Sequence, residues 1–148
     1  MKKLIVIVSL IVVVVGLAYV WDKGLLPGVP LTDKQAVFKN TWKFYEDIKY
    51  KAYENAASLH NEEDRDKANI PKLIEDLFRV PPEQVHITNV EITNVEVHSN
   101  GLNASSLTSI TAKLLTINKS QTREGLLYWT KENGKWYMKL SSSLQKFK

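Results

Sequence analysis

The sequence predicts an α+β protein: an N-terminal transmembrane helix followed by two helices packed on a curved four-stranded antiparallel sheet. Three observations carry that expectation. The chain opens on an uncharged apolar run. Apolar residues then recur at three- and four-residue steps, the period of helices. From Val85 onward the period becomes that of strands, punctuated by two Asn-Gly pairs.

Between Lys3 and Asp22 lie eighteen residues without a charge, LIVIVSLIVVVVGLAYVW. As a helix they span about 27 Å, close to the hydrocarbon thickness of a bilayer. Tyr19 and Trp21 close the run, where amphipathic rings favour the lipid–water interface. Lys2 and Lys3 precede it, so the N-terminus is expected in the cytoplasm and the folded part outside, in the periplasm or at the cell exterior. A cleavable signal peptide is the competing reading, with residues 4–15 as its apolar stretch and Gly16-Leu17-Ala18 as its cleavage site. The uncleaved anchor is preferred because the full run reaches spanning length and the shorter stretch does not. Residues 1–21 are therefore expected to form a membrane anchor, with the bilayer as partner through residues 4–21.

Residues 22–31, DKGLLPGVPL, form a linker whose two prolines and two glycines stop the helix. Residues 32–148 are expected to fold as one extracytoplasmic domain. Thr32-Asp33-Lys34-Gln35 has the Thr-x-x-Gln capping pattern. A long helix is expected from there to about His60, with Phe38, Trp42, Tyr45, Ala52, Ala56 and Leu59 on its apolar face. Lys43, Asp47 and Lys51 fall on its solvated face.

The stretch from His60 to Asp66 holds five potential metal ligands in seven residues. It lacks the order of a calcium loop and has no second His at i+4, so a solvated linker is expected and no metal site. Asn69 or Ile70 then opens a shorter helix, with Pro71 in its first turn and Leu73, Ile74, Leu77 and Phe78 as its buried side.

The sequence ITNVE occurs twice in tandem, within a run of Val85-x-Ile87, Val90-x-Ile92 and Val95-x-Val97. An odd period would flip the apolar residues to the other face at each repeat of a straight strand. The segment is then either buried on both faces or broken by bulges near Thr88-Asn89 and Thr93-Asn94; bulges are preferred, and they would bend the sheet. Asn100-Gly101 marks a hairpin turn, followed by a strand over about 102–117 with Ile110, Ala112 and Leu114 on one face. After a polar loop, strands over 124–131 and 135–141 flank Asn133-Gly134. A two-residue loop there pairs Trp129 with Met138 and Leu127 with Leu140. Leu127, Trp129, Trp136, Met138 and Leu140 would then face the core, and Tyr128, Tyr137 and Lys139 the other side.

Composition excludes several functions. The chain has no cysteine, which removes disulfides, thiol catalysis, Cys-ligated zinc and cysteine lipidation. Of its formal charge of +4, two units come from Lys2 and Lys3. The remaining lysines alternate with acids and form no basic stripe, so nucleic acid is not an expected partner. No Gly-rich phosphate loop or G-x-S-x-G context is present, and no cofactor is expected.

The long first helix bearing Phe38 and Trp42, the bent strand run and the terminal hairpin LLYWTKENGKWYMKL together resemble the NTF2-like superfamily, cone-shaped relatives of the cystatin-like folds. The resemblance covers roughly residues 32–142. It implies either of two roles. Membrane-tethered members are often non-catalytic parts of envelope assemblies, including a type IV secretion component. Catalytic members, such as ketosteroid isomerase and scytalone dehydratase, project Asp, His and Tyr side chains into the cone between helix and sheet.

Here the acid–base candidates are His86, His98, Asp47 and Tyr45, and no spacing forces two of them into hydrogen-bonding reach. Each His alternates with apolar strand residues and is expected to face solvent. No catalytic residue is assigned. The expected function is a single-pass, membrane-anchored interaction domain, an accessory subunit that meets a protein partner through Tyr128, Tyr137 and Lys139. The alternative is small-molecule binding or isomerase/dehydratase chemistry in a pocket lined by Phe38, Trp42, Tyr45 and Trp129.

Overall fold

Helix α1 (Asp33–Lys49) begins at the Thr-x-x-Gln pattern. Gln35 N–H donates to Thr32 Oγ1 at 3.3 Å and Thr32 N–H donates to Gln35 Oε1 at 3.0 Å, a reciprocal pair that satisfies two backbone donors. The computed structural model describes residues 30–76 and 81–140. The expected anchor over 4–21 with Tyr19 and Trp21, most of the linker, and Leu77 and Phe78 lie outside the described residues. Among the described residues no helix is long and apolar enough to cross a membrane. The chain divides into two compact units, Met1–Ala36 and Val37–Lys148. The capping pair belongs to the first, and everything below concerns the second.

The expected long helix to His60 is in fact two. Lys51 N–H donates to Ile48 O at 2.9 Å and Ala52 N–H to Asp47 O at 2.8 Å, with Lys51 in the left-handed region at φ 60°. This is a Schellman termination with Lys where Gly is usual, which is why the sequence carries no visible stop. Helix α2 (Tyr53–Ala57) follows, burying Ala56 and Ala57.

The buried face of α1 is Val37, Thr41, Phe44, Tyr45 and Ile48, with Asp47 beside them. That is the expected stripe turned by one residue, about 100°. Tyr45 is shared, but Trp42 faces outward with 47% of its surface exposed. Small residues at 37 and 41 permit close approach to the sheet, and Thr41 satisfies its hydroxyl there.

The expected solvated linker contains helix α3 (Glu62–Lys67), whose N-cap Asn61 accepts from Asp64 N–H at 2.9 Å. Helix α4 (Ile70–Glu75) is capped by Asn69, with Pro in its first turn as expected. Ile70 and Ile74 are buried, whereas Leu73 is 39% exposed, contrary to the predicted face. His60 is also buried rather than solvated.

Four antiparallel strands form one sheet in the order β1 (Val85–Val97), β2 (Asn103–Leu114), β3 (Lys119–Glu132) and β4 (Lys135–Met138). The β1–β2 register shifts between Ile87 and Asn89 and again between Ile92 and Asn94, so Thr88 and Thr93 are the extra residues. Each Thr hydroxyl donates at 3.1 Å to a β2 carbonyl, Thr111 O and Leu107 O respectively. Five residues with one bulge advance the strand by four pairing steps, an even number. Val85, Ile87, Val90, Ile92, Val95 and Val97 therefore all lie opposite even-numbered β2 residues, on the face that α1 covers.

Strand β3 runs five residues further back than the expected 124, because its polar start pairs with the end of β2, Lys119 opposite Leu114. Strand β2 is correspondingly shorter than expected. Asn133 and Gly134 form the two-residue turn at φ 50° and 78°, and Trp129 pairs with Met138. Strand β4 stops at Met138, so Leu140 makes no pair with Leu127; its N–H donates to Asp64 Oδ2 at 3.3 Å. Leu127, Trp129, Trp136 and Met138 are buried as expected, and Leu140 is half-buried.

Candidate functional site at the edge of the sheet

The interior between α1 and the sheet is closed by hydroxyl groups that bind one another. Thr41 Oγ1 lies 2.8 Å from both Val37 O and Ser106 Oγ, and Trp129 Nε1 donates to Ser106 Oγ at 3.0 Å. The Thr41 hydroxyl donates to Ser106 Oγ, which also accepts from the indole, while Val37 O lies within the same hydroxyl's reach. Every group in this chain is satisfied. Thr41, Ser106 and Trp129 are each fully buried.

A second chain sits beside it. Thr108 Oγ1 donates to Gly125 O at 3.0 Å, which leaves it to accept from the Tyr45 hydroxyl at 3.0 Å. Burial pushes the Tyr45 phenol up to about 12, and the Thr108 hydrogen bond opposes that only in part. Tyr45 is thus an un-ionised hydrogen-bond donor at neutral pH, already engaged. Gly125 is required here: a Cβ would lie 2.8 Å from the Tyr45 hydroxyl and 3.0 Å from Thr108 Oγ1.

The predicted pocket residues consequently separate. Trp42 and Tyr45 line a groove of about 130 Å³ at the outer edge of this interior, together with Glu46, Lys49 and Tyr50 of α1. Its other wall is Ile87, Thr88, Asn89 and Val90, the first bulge of β1. Trp129 belongs to the core and not to the groove, and half-buried Phe38 does not line it either. Glu46, Lys49 and Tyr50 were missed by sequence reasoning, although Trp42, Glu46 and Tyr50 stand at i, i+4 and i+8, one stripe of a helix.

Asp47 is not on a solvated face. It is 7% exposed, and Lys43 Nζ lies 2.9 Å and 3.1 Å from its two carboxylate oxygens. His86 and His98 are exposed, as expected, and none of these groups meets another candidate. Tyr128, Tyr137 and Lys139 do come together on the sheet face away from α1. Tyr137 pairs with Thr130, two residues from Tyr128, and Lys139 N–H donates to Tyr128 O at 2.9 Å. Among the described residues no cluster of three His, Cys, Asp or Glu side chains is placed to hold a metal ion.

The two sheet edges differ. Strand β4 is covered, since Met138 N–H donates to Leu59 O at 2.8 Å and His60 bridges Met138 in parallel. Strand β1 pairs only with β2 among the described strands, and the groove opens beside it.

No protein-family model matches this chain, and no curated protein matches it. Solved structures do. One is a SEC-C motif containing protein from Rhodopseudomonas palustris, 13% identical, with a TM-score of 0.51 over 64% of this chain and 67% of that one. Two others are provisionally named polyketide cyclases. The protein from Xanthomonas campestris is 8% identical with a TM-score of 0.46, over 79% of this chain and all of its own. The protein from Pseudomonas putida is 10% identical with a TM-score of 0.45, over 79% of this chain and 98% of its own. The first likeness is one of fold alone, and the other two are too distant in shape to add to it. The class defined by fold and site is an α+β domain with helices on one face of a four-stranded antiparallel meander, a closed interior and an aromatic groove at its β1 edge.

Proposed function

We propose that this chain is a non-catalytic interaction domain of the NTF2-like kind, held at a membrane by residues 4–21 and docking on a protein partner through Tyr128, Tyr137 and Lys139. The observation that carries the reading is the closed interior. Where an acid–base enzyme of this shape needs a substrate cavity, Trp129, Tyr45, Thr41, Ser106 and Thr108 are packed and hydrogen-bonded to one another. Opening that space would leave several buried hydroxyls unsatisfied, at about 1–3 kcal/mol each. The outer sheet face, by contrast, offers two half-buried tyrosines and a lysine side by side. Tyrosine is enriched among the anchors of protein interfaces.

The test is purification of the tagged full chain from its native membranes in mild detergent, with identification of the proteins that accompany it. A defined partner that is lost from a Tyr128→Ser/Tyr137→Ser variant of unchanged circular dichroism is expected. A lone monomer without a partner would overturn the reading. Small-molecule binding is the second reading, favoured by the groove beside Trp42.

A further inference from the structure

The groove at the β1 edge has a chemistry of its own. Trp42 and Tyr50 stand eight residues apart, about 12 Å along the helix axis, on one side of α1 and the turn that ends it. The two residues are 47% and 71% exposed. Large aromatic surfaces left in water beside a concavity mark sites for a ligand. The Trp42 indole N–H, the Glu46 carboxylate and the Asn89 amide make no hydrogen bond to other described groups, so both donors and acceptors are unspent around the two rings.

Electrostatics narrows the ligand. Glu46 and Lys49 line the same groove with opposite charges, which disfavours a net anion or cation as the main occupant. Lys49 Nζ already lies 5.9 Å from the Tyr50 ring centroid, so the position a cationic ligand would take on that face is filled. A peptide strand added to β1 needs evenly spaced N–H and C=O groups along the edge. The bulge at Thr88 interrupts that spacing within the groove itself. What fits is a neutral ligand with flat C–H faces for the rings and many hydroxyls for the side groups. Sugar rings with equatorial linkages have that form.

We propose that the Trp42–Tyr50 groove binds a neutral, equatorially linked oligosaccharide. The two rings are its stacking platforms, and Asn89, Glu46 and Lys49 take its hydroxyls. The site is separate from the Tyr128, Tyr137 and Lys139 face, so it stands or falls independently of the protein partner proposed above.

The test uses the full chain in a detergent that has no sugar headgroup, titrated with a soluble N-acetylglucosamine hexamer and a soluble β-1,4-glucose hexamer and followed by tryptophan fluorescence and calorimetry. Saturable binding of at least one hexamer is expected. Trp42→Ala and Tyr50→Ala should each weaken it by at least about tenfold, as truncating a central aromatic anchor does. Both substitutions fall on exposed side chains, so the melting temperature should hold; Leu115→Ser, at an exposed site in the β2–β3 turn, should bind as the parent does. Absence of saturable binding at millimolar concentrations of both sugars overturns the proposal. So does undiminished binding in the Trp42→Ala/Tyr50→Ala double variant, or selective binding of an unstructured peptide in their place. Partner capture that survives Trp42→Ala but not Tyr137→Ser would leave the interaction reading standing in any of these cases.

Discussion

The Tyr45 hydroxyl and Gly125 are fitted to each other: the phenol occupies the space that a side chain at 125 would fill, with 2.8 Å between that oxygen and an added Cβ. Gly125→Ala must displace either the phenol or Thr108, at a cost of about 1–3 kcal/mol. Tyr45→Phe loses one buried hydrogen bond, about 1 kcal/mol. Because removing the hydroxyl also relieves the clash, the double variant should be more stable than the sum of the single losses implies. Denaturant melts in a double-mutant cycle measure this. Additive losses would mean that the two residues do not meet.

The same phenol gives the domain an alkaline limit. Its folded pKa is raised from 10.0 to about 12, so between those values the unfolded chain gives up a proton that the folded chain keeps. Stability is therefore full below pH 10 and falls as pH rises toward 12, by about 1–3 kcal/mol from this group. Tyr45→Phe should flatten that limb in urea melts taken across the range.

His60 sets an acid limit. It is 1% exposed, its Nδ1 lies 3.2 Å from Ala57 O, and its Nε2 has no hydrogen-bond partner among the described residues. Burial lowers its pKa below the ordinary 6.5 and Arg65 acts the same way, while the Ala57 carbonyl and Asp64 oppose them. The unfolded chain then binds a proton first as pH falls, so stability is lost below about 6.5. Thermal melts of His60→Met should show a shallower acid slope than the parent. Equal slopes would show that other groups set it.

Lys51 holds a left-handed conformation that a side chain disfavours by about 1 kcal/mol. Lys51→Gly should raise the melting temperature by a few degrees. A drop would mean that glycine's extra freedom in the unfolded chain outweighs the relief.

Deleting Thr93 should be far more damaging than Thr93→Val. The substitution removes a single hydrogen bond to Leu107 O, about 1 kcal/mol. The deletion removes the bulge and forces part of β1 to show its apolar side to water. Losing the burial of even two such residues, Val95 among them, costs at least about 3 kcal/mol. Loss of the cooperative transition is expected in the deletion alone.

The sheet was the more legible half of the fold. Asn-Gly turns and the ITNVE repeat act locally, and a five-residue period is consistent with one buried face only if each repeat carries a bulge. The helical half was less so. In the first half of α1, Phe38 and Trp42 are larger than Val37 and Thr41, yet the smaller pair faces the sheet beside Phe44 and Tyr45, a choice made by the depth of the interior rather than by local hydrophobicity. The break after Lys49 was hidden because Lys, not Gly, takes the left-handed position. Of the expected pocket, Trp42 and Tyr45 were placed together and Trp129 was not. Its indole partner, Ser106, lies on a strand 23 residues away, a pairing that no spacing announces.

The account turns on whether the interior is closed, and the exchange of tryptophan indole hydrogens in the full chain measures that directly by NMR. The Trp129 indole, hydrogen-bonded to Ser106 and fully buried, should exchange only through large-scale opening, while the Trp42 indole exchanges at the rate of an exposed ring. A Trp129 indole that exchanges as fast as that of Trp42 would contradict the account, because the space between helix and sheet would then be an open cavity fit for a substrate.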